Sequence, residues 1–149
     1  MEINYSRELP KKVELMGARR KINYDVRELT DSEIEALYEG TEKDVPLGYF
    51  AKEHRYAYRS VVIGGGRMTY EGVVEAIIRE KYSIDEMEAI TNNMAAVNAV
   101  FLQTLVTEGI VAATKYLKDS VDEINSSQFK EMQEWRRMAK NEAKGIFDL

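Results

Sequence analysis

"SVVIGGGRMTYEGVVEAII" (Ser60–Ile78) decides how this chain divides. β-formers run into three glycines and an apolar helical pattern follows, which is also how a dinucleotide-binding unit opens. Such a unit needs G-x-G-x-x-G between a buried strand and a helix. Gly64 and Gly66 fill the first two glycine positions, but Thr69 stands at the third. The approach, "HRYAYRS", is too polar for a parallel strand buried on both faces. No strand pattern follows Ile78, and a P-loop would need a lysine where none stands. The expectation is a sharp strand-to-helix bend at Gly64–Gly66, with Thr69 capping the helix.

Upstream of the bend the pattern is β-rich. Lys12–Met16 and Lys21–Leu29 read as strands, with Gly17 and Ala18 at the turn between them. Ile22, Tyr24 and Val26 alternate with polar neighbours, the period of a half-buried strand. Thr30 and Glu33 have capping-box spacing, which predicts a short helix over Asp31–Glu39 closed by Gly40. Pro46 and Gly48 mark a turn before a last strand. In that strand Tyr56, Tyr58, Ser60 and Val62 face one way, and Ala57, Arg59 and Val61 the other.

Downstream everything reads as helix. Val73, Val74, Ile77 and Ile78 form an apolar stripe on Thr69–Lys81. Ser83 and Glu86 make a second capping box, and Asn92-Asn93 offers a break. "DSVDEINSS" reads as a polar hinge before a final helix, Gln128–Ile146. The fold class expected is α+β: a β-rich docking module (1–66), then a helical oligomerisation region (67–149) with a long, largely uncharged helix.

That uncharged helix is the most unusual feature. Ala89–Thr107 holds no charged residue, and as far as Thr114 only Glu108 interrupts. A helix without a polar face is buried by several neighbours, by copies of itself, or by lipid. A spanning helix needs about 20 apolar residues; Asn98, Gln103, Thr104, Thr107 and Glu108 fit that poorly. Self-association is the expectation, with Asn98 and Gln103 pairing across the interface to fix register. The alternatives are the centre of a monomeric bundle and a membrane-associated protein inserting residues 94–114. The interface residues expected are Met94, Val97, Asn98, Phe101, Leu105, Phe129, Met132 and Trp135. The last three form an apolar stripe that suits either core packing or docking into a groove.

The remaining candidates for chemistry are few. The 149 residues contain no cysteine, which excludes disulfides and thiolate sites. His54 is the single histidine, and no partner for it stands nearby. Asp85, Glu86 and Glu88 suit a first helical turn. Asp119, Asp122 and Glu123 suit a solvated hinge. Arg19-Arg20-Lys21 falls at the hairpin turn, where a solvated loop or an acidic protein partner fits better than nucleic acid. The net charge of −5 lies wholly in residues 69–149, with 9 Lys/Arg against 14 Asp/Glu; residues 1–68 carry 12 of each. No catalytic site, metal or cofactor is expected, and neither is a signal peptide.

"ELPKKVELMGARRKINYDVREL", "YSIDEMEAITNN" and "FKEMQEWRRMAKNEAKGI" together cover about a third of the chain. In these stretches it resembles small uncharacterised tail-region proteins of tailed bacteriophages, including those of gut bacteria. The resemblance implies a virion component without catalysis, assembled in the host cytoplasm from copies of itself and another structural protein. It carries no functional residue with it. Two further readings remain open: membrane insertion through Met94–Thr114, and a small nucleotide binder using Gly64–Gly66.

Overall fold

The computed structural model describes residues 2–37, 55–118 and 120–148, with the last helix's side chains from 123 onward. The expectations at Gly40, Pro46, Gly48, His54 and Asp119 lie outside those residues. The protein is α+β: a four-stranded antiparallel sheet is followed by helices. The strands are β1 (Asn4–Ser6), β2 (Val13–Met16), β3 (Arg19–Glu28) and β4 (Tyr56–Gly64), in the order β1-β4-β3-β2. Helix α1 is Asp31–Leu37, and α2 (Tyr70–Lys81), α3 (Ile84–Glu108), α4 (Ile110–Leu117) and α5 (Ser120–Phe147) follow β4.

Contacts divide the chain into two compact units. One comprises Met1–Ile77 with Ala139–Leu149, the other Ile78–Met138, so the division falls inside α2 and α5 rather than at the glycines. In the first unit the strands present two unlike faces. One carries Ile22, Tyr24, Ala57, Val61 and Ile63, all buried, and the same unit buries Val73, Ile77, Ala139 and Ala143 from its helices. Leu29, Ile34 and Ala57 form one buried cluster, which docks α1. The Thr30–Glu33 capping box holds that helix start: the Glu33 amide donates to Thr30 Oγ1 and the Thr30 amide to Glu33 Oε2.

The other face is polar and is organised by Asn23, which is 1% exposed. β1 and β2 sit on opposite edges of the sheet, so the segment joining them must cross it. Asn23 Nδ2 donates to the Lys11 carbonyl (2.7 Å) and to Glu14 Oε2 (3.1 Å), while the Asn23 amide donates to the Lys12 carbonyl (2.9 Å). Ser60 Oγ donates to Asn23 Oδ1 (2.7 Å) and receives a bond from Asn4 Nδ2 (3.3 Å). One side chain therefore binds the crossing segment to three strands. Buried polar groups persist when satisfied in this way.

The expected alternation along β3 stops at a bulge. Tyr24 pairs with Arg59 and Arg27 with Ala57, so β3 carries one residue more than its neighbour there. Asp25 takes the left-handed conformation (φ 52°), and Val26 is only half-buried. The Asp25 amide, freed from the ladder, donates to Glu142 Oε1 of α5 (3.3 Å). Burial raises the Glu142 pKa, and the nearby Asp25 carboxylate adds to this, against the amide bond and Lys12.

At the junction, Gly65–Arg67 forms a single 3-10 turn. Only Gly17 and Gly109 among the described glycines have positive φ. Gly65 is fixed by proximity instead: its amide donates to the Ala18 carbonyl (2.9 Å), and a Cβ would lie 2.9 Å from that oxygen. Thr69 caps α2 as expected, its Oγ1 accepting from the Gly72 amide (3.1 Å).

Three helical expectations are corrected. Asn92 and Asn93 lie within the unbroken α3, because apolar periodicity on both sides outweighs asparagine's tolerance of other conformations. The polar stretch 120–127 is the start of α5 and not a hinge; its polar residues suit a helix face turned to water. The uncharged segment is two helices, divided at Gly109 (φ 90°, ψ 178°), a conformation essentially confined to glycine.

Two outcomes follow from the sheet unit. Asn23→Ala removes the donor to the Lys11 carbonyl and the acceptor of the Ser60 hydroxyl, and lowers stability by about 1–3 kcal/mol in urea denaturation. Glu142 ionises at a cost in the folded state, so its contribution favours folding below the ordinary carboxylate range and declines as pH rises through its raised value. Glu142→Gln keeps the acceptor for the Asp25 amide. It raises the thermal midpoint at neutral pH, and that gain disappears at pH 4.

Candidate interaction surface

The second unit, Ile78–Met138, is helical, and few of its side chains are enclosed. Its buried residues, among those described, are Ile78, Val97, Ala113, Met132 and Trp135. A unit of about 60 residues normally removes more than half of its unfolded surface from water. Here α3 buries one residue, Val97. Among the described residues of this unit, α3 is therefore largely unenclosed.

Local chemistry explains why α3 is a helix despite so little burial. Its capping box is complete, with the Glu86 amide donating to Ser83 Oγ (3.1 Å) and the Ser83 amide to Glu86 Oε2 (2.7 Å). Asp85 and Glu86 also sit at the positive end of the helix dipole. Thr104 and Thr107 donate their hydroxyls to the carbonyls of Val100 and Gln103, each at 2.8 Å. Thr114 in α4 does the same to Ile110 (2.7 Å). These threonines donate their hydroxyl hydrogens within their own helix.

The result is a largely uncharged series of apolar side chains open to water, interrupted by the exposed Glu108. Leu102 is 58% exposed, Val106 84%, Ile110 61% and Val111 81%. Each such side chain gains about 1.5–3 kcal/mol on full burial, so leaving the four exposed to this extent forgoes roughly 4–9 kcal/mol. Helix α4 packs against α3, yet these four remain uncovered.

The residues expected at an interface divide by location. Val97, Met132 and Trp135 are buried inside the fold; Met94, Phe101, Leu105 and Phe129 are half-buried; Asn98 is exposed. The Met132–Trp135 stripe is interior packing. Lys81 Nζ lies 5.0 Å from the Trp135 ring centroid and donates to Glu131 Oε1 (2.7 Å), which holds the lysine's pKa above its ordinary value. Leu102, Val106, Ile110 and Val111 were not singled out by sequence. In a stretch apolar all round, periodicity does not say which side the neighbours cover.

Elsewhere the candidates are modest. A hollow of about 680 Å3 opens on the polar sheet face, beside Ser6, Leu9, Pro10, Glu14 and Tyr58. Its Glu14 is held below the ordinary carboxylate range by the Asn23 amide and, to a lesser degree, by Lys21. The basic cluster is partly engaged: Arg20 donates to the carbonyls of Gly17 and Arg19, and Lys21 pairs with Glu14 at 3.5 Å. Among the described residues, no helix is long and apolar enough to cross a membrane, and no group of acidic or histidine side chains is placed to hold a metal ion. No family model, curated protein or solved structure matches the chain.

The conformation of Gly109 sets how α4 leaves α3, and a Cβ there would meet no atom within 4 Å. Gly109→Ala therefore tests the backbone alone. Stability falls by about 1–3 kcal/mol in urea denaturation, and a change below measurement error would show that the break is not required.

Proposed function

We propose that the chain is a non-enzymatic structural or adaptor protein that self-associates through its helices and docks its sheet module on a neighbouring protein. The uncovered, largely uncharged apolar side chains of α3 and α4 support this reading: exposed apolar patches on a folded chain mark association surfaces. The sheet supplies a second contact. β2 is a terminal strand, and Leu15 and Met16 on it are 77% and 49% exposed. The resemblance to phage tail-region proteins supplies the setting, a virion component assembled in the host cytoplasm. Light scattering on the purified chain is expected to give at least twice the mass of one copy at micromolar concentration. A stable monomer there and at tenfold higher concentration would overturn the reading.

A further inference from the structure

The self-association proposed above does not say which side of α3 meets the second copy, or in which direction. The exposed side of the helix contains a more specific pattern. Ala95, Ala99, Leu102 and Val106 are all exposed and follow one another at intervals of four, three and four residues. That spacing places them in one stripe along the helix. The stripe is small at its N-terminal end and large at its C-terminal end.

We infer that α3 pairs antiparallel with α3 of a second copy through this stripe, about a two-fold axis between Val100 and Phe101. In that register Ala95 lies opposite Val106 of the second copy, and Ala99 opposite its Leu102. Every small side chain meets a large one, so the helices approach evenly along the seam. A parallel pair would set Ala95 on Ala95 and Val106 on Val106, loose at one end and crowded at the other.

Charge favours the same occupant and direction. The seam has no charged residue from Ala89 to Thr107, so it offers nothing for a charged partner to recognise, and another copy shares that neutrality. Asn98 and Gln103 flank the stripe on its two edges, and both are exposed. An amide side chain both donates and accepts, so both can keep water as a partner at the seam's edges when it closes. The acidic first turn, Asp85, Glu86 and Glu88, falls at opposite ends of an antiparallel pair and side by side in a parallel one.

The absence of cysteine makes the register directly testable. Ala95→Cys and Val106→Cys are prepared separately, both at exposed positions, then oxidised alone and mixed. The positions are eleven residues apart, roughly 16 Å along the helix, so only residues brought opposite each other can form a disulfide. The inference expects a disulfide-linked pair in the mixture and little in either variant alone. Cross-linking of each variant with itself would establish a parallel pair and overturn it. If light scattering shows a dimer but neither pattern appears, another surface carries the association, and the inference fails while the general reading survives. A monomeric unmodified chain would remove both. As a second readout, Leu102→Glu combined with Val106→Glu is expected to reduce the mass to that of one copy, with helical circular dichroism unchanged. Persistence of the dimer in that variant would also overturn the inference.

Discussion

The crossing of the sheet by the segment between β1 and β2 is the constraint on which the first unit depends. Two strands joined by six residues lie on opposite edges, so the linking backbone must pass over a sheet face with its carbonyls directed inward. An apolar face could not accept them. Asn23 resolves this by donating its amide hydrogens to Lys11 and Glu14 and by accepting, at its carbonyl, from the Ser60 hydroxyl. The sheet is therefore sealed on one side by hydrocarbon and on the other by a small polar network. The buried amide of Asn23 is the group through which the crossing segment is fastened to the sheet.

The second unit is built on another basis. Its helices are held by capping, by hydroxyl-to-carbonyl bonds within single helices and by the Lys81–Glu131–Trp135 clasp, more than by an enclosed core. Local interactions of this kind keep a helix helical without deciding what lies beside it. The apolar side chains left over are then free to take a neighbour from outside the chain. Here secondary structure is fixed locally while much apolar surface stays open to water.

What could be read in the sequence follows the same distinction. Both capping boxes, the turn at Gly17 and the Thr69 cap depend on residues within three or four positions, and the structure places them as expected. β1 was not anticipated, because three residues of alternation at Asn4–Ser6 are too few to register, and its pairing with Tyr56–Tyr58 is far off in sequence. The bulge at Asp25 and its bond to Glu142 span 117 residues and leave no local trace. The start of α5 was misplaced because a polar run suits a solvated helix face as well as a hinge. On α3 the sequence signalled an unusual helix but not its orientation. Uniform composition hides the side that neighbours cover, and Leu102 and Val106 emerge only once burial is known.

The missing charge between Ala89 and Thr107 of α3 has a consequence for the conditions under which such a face would hold. Attraction between ions is screened by salt, whereas withdrawal of hydrocarbon from water is not. A contact made through Leu102 and Val106 would persist in concentrated salt that dissolves charge-based assemblies, and excluded anions such as sulfate would tighten it. Cooling would act the other way, since hydrophobic association weakens as temperature falls. The face would thus respond to cold more than to ionic strength.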